Sequence, residues 1–312
     1  MYKKTPSRPA PGGYTHLMIR EIRARTLLSR VRGMDTWFGL DFGMNLYRGC
    51  QHHCIYCDSR SECYGNDRFD EDVLVKANAV EVLRDELRRK RARGIVGTGS
   101  MNDPYMPLEA EARLAAGALQ AIAEFGFGVH VITKSTLVLR DIPLFQKIAR
   151  QSTAAVSLTV TTVDDELARV VEPGAPPASE RLRALRELAQ AGIEARVALM
   201  PVLPYLEDSW ENVEAIVERA AACGVRAIVA SFGLTMRGRQ RDYFYRRLDE
   251  SFPGLRVRYE ESYGERYICA SPDAARLHER FVALCAARGI QTSVSPLLAP
   301  SATEPDLFGW PT

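Results

Sequence analysis

The chain lacks any apolar run near the roughly 18 residues that a membrane-crossing helix requires, so no membrane association is expected. Its opening stretch, MYKKTPSRPAPGGYTH, is basic and rich in Pro and Gly, and it has no apolar centre of a signal peptide. It reads as a mobile leader, with export not expected and a cytoplasmic location implied. Charge of one sign is also lacking. Lys and Arg total 41 against 39 for Asp and Glu, and a net charge of +2 does not mark a nucleic-acid binder. No GxGxxG follows the first predicted strand, which speaks against a dinucleotide-binding sheet. The seven cysteines are odd in number and three are bunched, which points to metal rather than a disulfide framework. What remains is a 312-residue chain, 46% hydrophobic and 26% charged, with the composition of one large or two ordinary folded domains.

Short β-branched runs alternate with helical stretches. Strands are predicted near Met44–Arg48, Gly94–Gly99, Gly128–Thr133, Ala154–Val160, Glu194–Leu199 and Ala227–Ser231. Amphipathic helices are predicted over Val73–Arg93, Glu109–Phe125 and Ala178–Ala191. The alternation implies a parallel sheet with crossover helices. The fold class expected is α/β, a partial (β/α)6 TIM-type barrel, with an open doubly wound sheet as the competitor. The division expected is an N-terminal leader over 1–40, a barrel over 41–235 and a C-terminal cap over 236–312, the last including a short strand pair in RVRYEESYGERYICAS. The polar or Gly/Pro-rich segments YRGCQHHCIYCDSR, GSMNDPY, TKS, TTVDDE and PVLPYLED fall after successive strands, where parallel sheets carry their chemistry.

Cys50, Cys54 and Cys57 lie in CxxxCxxC spacing. Three thiolates on one loop can hold a metal centre. Zinc would take a fourth ligand, for which His52 or His53 are the candidates, although both are expected to face solvent. An iron–sulfur cluster held by three Cys would instead leave one iron open to a small molecule. Cys63, Cys223, Cys269 and Cys285 are scattered singly and read as reduced thiols. Two arginine clusters, Arg88–Arg93 and RGRQRDYFYRR at Arg237–Arg247, read first as solvated faces; the second, interleaved with aromatics, is the better nucleic-acid candidate.

The cysteine loop, with Tyr56 just before its last Cys, resembles that of the radical S-adenosylmethionine (SAM) superfamily. NLYRGCQHHCIYC, GSMNDPYMPLE, VITKS, SLTVTTVDDELARVVEPGAPPASERLRALRELAQAGI and ALMPVLP are together similar to its spore-photoproduct-lyase-like branch. The resemblance implies a [4Fe-4S] cluster held by Cys50, Cys54 and Cys57, with SAM chelated on the open iron. It places Tyr56 near the adenine, Asn102 and Asp103 toward the SAM amino group, Lys134 on the carboxylate and Ser157 as a further SAM contact. It implies an oxygen-sensitive enzyme in which a reduced cluster cleaves SAM to methionine and a 5′-deoxyadenosyl radical. That radical takes hydrogen from a substrate the sequence does not name, and a flavodoxin- or ferredoxin-type reductant supplies the electron.

The resemblance breaks at two positions. The lyase carries a hydrogen-donating Cys three residues before its Asp-Pro, where this chain has Ser100, and a Tyr directly after the last cluster Cys, where this chain has Asp58. A spore DNA repair enzyme is therefore not expected. Cys63, Ser100 and Asp58 are the candidate catalytic positions, with Cys63 as a substitute donor. The alternative reading, from another class, is a nucleic-acid-binding protein whose metal loop is structural.

Overall fold

The computed structural model describes residues 18–293, apart from 34 and 36; the MYKKTPSRPAPGGYTH leader and the last nineteen residues of the cap lie outside the described residues. The strands are β1 (Met18–Ile22), β2 (Leu28–Arg30), β3 (Phe42–Met44), β4 (Tyr47–Arg48), β5 (Asp72–Lys76), β6 (Ile95–Thr98), β7 (Gly128–Thr133), β8 (Ala154–Thr159), β9 (Glu194–Val202), β10 (Ala227–Thr235) and β11 (Ile268–Ala270). The helices are α1 (Ala79–Arg88), α2 (Glu109–Ala112), α3 (Leu114–Phe125), α4 (Ile142–Ala149), α5 (Asp165–Val171), α6 (Ala178–Gln190), α7 (Trp210–Ala222), α8 (Gly238–Ser251), α9 (Leu255–Tyr263) and α10 (Ala274–Ala287).

β3, β6, β7, β8, β9 and β10 run parallel in that spatial order, flanked by antiparallel β2 and β11. The result is a partial barrel of six parallel strands whose sheet does not close. Strands covered on both faces are buried nearly throughout, and β8 (AAVSLT) is buried at all six positions. Period-2 alternation divides its neighbours. Val129, Val131, Val156, Leu158, Val197 and Leu199 pack beneath the helices with Leu119, Phe145, Leu185 and Val217. The opposite, inner face carries Gly97 beside His130 and Ser157 beside Arg196.

Three local expectations fail for identifiable reasons. The helix expected from Val73 begins at Ala79. DVLVK forms β5, because Val73 and Val75 are buried while the strand pairs with β1 and β4. The 109–125 helix is broken at Arg113, whose φ of 51° is left-handed. RVRYEESY is helix α9 rather than part of a strand pair, since Tyr259 and Tyr263, one helical turn apart, are the buried positions.

Part of the expected leader is tied down. β1 lies parallel to β5, and Asn78 holds Ala24 through both its amide atoms, accepting at 2.7 Å and donating at 2.9 Å. A second apolar cluster joins Ile55 and Tyr56 of the cysteine loop to Leu203, Phe244, Leu248 and Tyr259. The C-terminal helices thus pack over that loop. Among the described residues no helix is long and apolar enough to cross a membrane.

Candidate functional site

The cysteine loop follows β4 and is gripped from three sides. Ile55 N donates to Val171 O at 2.9 Å, and Gly174 N donates to His52 O at 2.9 Å. Leu108 N donates to Gln51 Oε1 at 2.7 Å, and Gln240 Nε2 of α8 donates to Tyr56 O at 3.0 Å. A Cβ at Gly174 would run into the carbonyl oxygen of Gln51, so the backbones touch there. Cys50 and Cys54 are buried and Cys57 is half-buried. Cys50 and Cys54 feel each other electrostatically, as do Cys54 and Cys57. Burial pushes both buried thiols up, Cys54 to about 12, and a metal centre taking them as thiolates would displace those protons. Backbone N–H groups of His52 and Asp103 aimed at Cys50 act in the opposite direction, as they would on a ligating thiolate. Among the described residues no three His, Cys, Asp or Glu side chains are gathered round a single point.

The two histidines do not face solvent as expected; both are buried. His52 Nδ1 donates to Gly174 O at 2.8 Å, while Nε2 lies 3.0 Å from Asp103 Oδ2. His53 adopts a left-handed φ of 50° beside Asp70, at 3.8 Å. Their ring nitrogens serve the loop's own packing.

The Asn102–Asp103 turn follows β6. Asp103 Oδ1 accepts from Tyr105 N at 2.8 Å and Thr133 Oγ1 at 2.6 Å, and Oδ2 accepts from Lys134 N at 2.7 Å. With His52 opposite, the capacity of the carboxylate is filled by the protein. Burial would raise its pKa, but these partners outweigh burial and bring it down to about 2. Asp103 is thereby placed as a link between the cysteine loop and β7. Asn102 differs. Its Nδ2 donates to Tyr47 O at 2.7 Å, and its buried Oδ1 has no partner among the described residues. Lys134 Nζ lies 3.8 Å from Glu172 Oε1, longer than a hydrogen bond, and 5.7 Å from the Tyr56 ring centre. Burial acts to lower its pKa, but Cys54 and Glu172 hold it above the ordinary value, so it stays a cation. Ser157 sits fourth of six in β8 rather than at its end, and its hydroxyl is 2.7 Å from His130 Nε2.

Sequence reasoning assigned no role to Glu172 and Arg181 and passed over Glu207. Glu172 accepts from the Tyr56 hydroxyl and pairs with Arg181, both at very short range. Burial would raise the Glu172 pKa, yet Arg181 and Lys134 keep it lowered. Arg181 also donates to Thr159 O at 3.0 Å and Pro176 O at 2.8 Å, and its buried Nη2 has no hydrogen-bond partner among the described residues. The only sequence signal was a charged residue placed just before Pro173–Gly174 in EPGAPP.

Asp58 is held by Arg237 at 2.6 Å and by the Tyr64 hydroxyl at 2.7 Å, while Ser100 and Cys63 are exposed. Four of the five arginines of RGRQRDYFYRR are engaged within the chain: Arg237 to Asp58, Arg239 to Asp67 at 3.0 Å, Arg241 to main-chain carbonyls and Arg247 to Glu250 at 2.5 Å, while exposed Arg246 lies over the Tyr243 ring at 5.8 Å.

The sequence model of the Radical SAM superfamily matches residues 44–220. An uncharacterized protein of Mycobacterium tuberculosis (strain ATCC 25618 / H37Rv) is 38% identical over 229 residues, covering 71% of this chain and 67% of the relative. Another, from Methanocaldococcus jannaschii, is 33% identical over 172 residues, covering 54% and 63%. Among solved structures, a spore photoproduct lyase variant with bound AdoMet and dinucleoside spore photoproduct superposes with a TM-score of 0.68 at 13% identity. The match covers 92% of this chain and 87% of that one. At that identity the likeness carries the fold alone.

Proposed function

The chain belongs to the radical SAM superfamily and is an enzyme of that class, and on that premise we propose that Cys50, Cys54 and Cys57 hold a [4Fe-4S] cluster beside a SAM site built from Tyr56, Asn102 and Lys134. The superfamily's cofactors are that cluster and SAM. Bound here, they supply one-electron cleavage of SAM to methionine and a 5′-deoxyadenosyl radical that takes hydrogen from the substrate.

The chain's own residues do the rest. The loop grip fixes where the three thiols stand, and backbone N–H groups favour the anionic form of Cys50. The observation that carries the reading is the pairing of an uncommitted buried acceptor, Asn102 Oδ1, with an under-paired cation, Lys134, across the Asp103 link. That pair complements an amino-acid zwitterion: Asn102 accepts from the ammonium and Lys134 donates to the carboxylate. Ser157 belongs to the same proposal as a further SAM contact, its hydroxyl held by His130. The electron comes from a flavodoxin- or ferredoxin-type reductant.

The test has two arms. Anaerobic reconstitution should give close to one cluster per chain by iron and sulfide count, and Cys54→Ala should abolish it. Lys134→Ala should keep the cluster and lose about 1.5–3 kcal/mol of SAM binding by titration, the worth of a charge-assisted hydrogen bond. A full cluster in Cys54→Ala would overturn the ligand assignment, and unchanged SAM affinity in Lys134→Ala would remove that residue from the site.

A further inference from the structure

Val171–Gly174, running from the end of α5 toward α6, meets the cysteine loop through Val171, Glu172 and Gly174. Val171 O accepts from Ile55 N, and Gly174 exchanges backbone and side-chain hydrogen bonds with His52. Between them Glu172 is almost wholly buried. Its Oε1 takes the Tyr56 hydroxyl and faces Lys134 Nζ at 3.8 Å, while Oε2 takes Arg181. One carboxylate thus touches the cysteine loop, the end of β7 and helix α6. We infer that Glu172 is the positioning residue of the SAM site, fixing the Tyr56 ring and the Lys134 ammonium relative to each other and to the cysteine loop. The inference rests on the SAM site proposed above.

Mere charge balance and positioning predict opposite signs. If Glu172 only offset the nearby cations, removing its charge would leave two positive charges facing the SAM carboxylate, and SAM would bind more tightly. If Glu172 holds Lys134 and Tyr56 in place, its loss leaves both free to move. Affinity then falls although the local charge has become more favourable.

The experiment uses the cluster-loaded full chain and Glu172→Gln, a same-shape change that keeps an acceptor for Tyr56. Glu172→Asp is the companion, keeping the charge but shortening the reach. Both should retain wild-type iron and sulfide. Both should bind SAM about ten-fold or more weakly, and SAM should no longer perturb the reduced cluster's spin-resonance signal as it does in the wild type. Tighter or unchanged SAM binding in Glu172→Gln would overturn positioning. Loss of the cluster in both variants would overturn it in favour of a scaffold role. A wild-type protein that takes up no cluster or binds no SAM would instead overturn the proposed function itself.

Discussion

Burial pushes a carboxyl toward its protonated form, and at Glu207 it outweighs the opposing pull of Arg181. Glu207 is fully buried in the loop after β9, accepting from Thr161 Oγ1 at 2.8 Å and Leu203 N at 3.0 Å. Burial pushes its pKa up from 4.5 to about 8, with Glu172 adding to the rise. The folded protein therefore keeps a proton that the unfolded chain loses above about pH 4.5. Between there and about pH 8 stability must fall as pH rises, at no more than about 1.4 kcal/mol per unit for this group, and level off above. Glu207→Gln, neutral at every pH, should flatten that slope in denaturant titrations at pH 5, 7 and 9. An unchanged slope would show that Glu207 is ionised in the fold. Neither Glu207 nor Glu172 was legible as a site residue. Beyond the Pro–Gly that follows Glu172, nothing in the string of letters separates these two from the many glutamates that stay in water, and it is packing against Tyr56, Arg181 and Thr161 that does so. Asn102 and Lys134 were singled out through the resemblance to the spore-photoproduct-lyase-like branch, on segments that follow successive strands.

The elements of the barrel were readable wherever one periodicity dominated. β7 falls where VHVIT predicts it, and α6 ends one residue short of expectation. Misreading occurred where a short segment satisfies two templates: DVLVK alternates like a strand yet borders a helix, and RVRYEESY alternates yet buries one turn-spaced tyrosine pair. The loop after β6 shows how an element positions chemistry through one residue. Gly99 has φ of 107°, and a Cβ there would run into the carbonyl oxygen of Ile132 on β7. Strain and clash together should cost upwards of about 1–3 kcal/mol. They should also shift the turn that carries Asn102 and Asp103. Gly99→Ala is expected to lower the melting temperature and to weaken SAM binding, whereas Gly192→Ala, with open space around it and a φ of 77°, should lower stability alone. Equal SAM affinity in both variants, at full folding, would show that the Asn102 turn is not set by Gly99.

For the whole molecule the question is how far a shared barrel implies shared chemistry. The fold matches spore photoproduct lyase across 92% of the chain at only 13% identity. Function resides in loop residues grafted on the scaffold. Repair of a thymine photoproduct needs a hydrogen atom returned to the substrate radical after the bond breaks. A thiol can return it quickly because S–H is weak. Ser100 stands where the lyase pattern has that thiol, and an alcohol O–H is too strong to replace it. Asp58 stands where the pattern has a phenol. A carboxyl group does not do the work of a phenol in relaying a hydrogen atom, and this one is pinned by Arg237 and the Tyr64 hydroxyl. In the arginine-rich segment at α8, the better of the two nucleic-acid candidates by sequence, Arg237, Arg239 and Arg241 are tied to acidic partners and carbonyls of their own chain. The reduced, cluster-loaded protein given SAM should therefore release 5′-deoxyadenosine slowly but should not turn over dinucleoside spore photoproduct. The measurement is thymidylyl-thymidine formed per enzyme beside 5′-deoxyadenosine formed per enzyme. Many clean turnovers would show that another group returns the hydrogen. Cys63, exposed and adjacent to Tyr64 on the segment following the cysteine loop, would then be the first residue to replace by alanine.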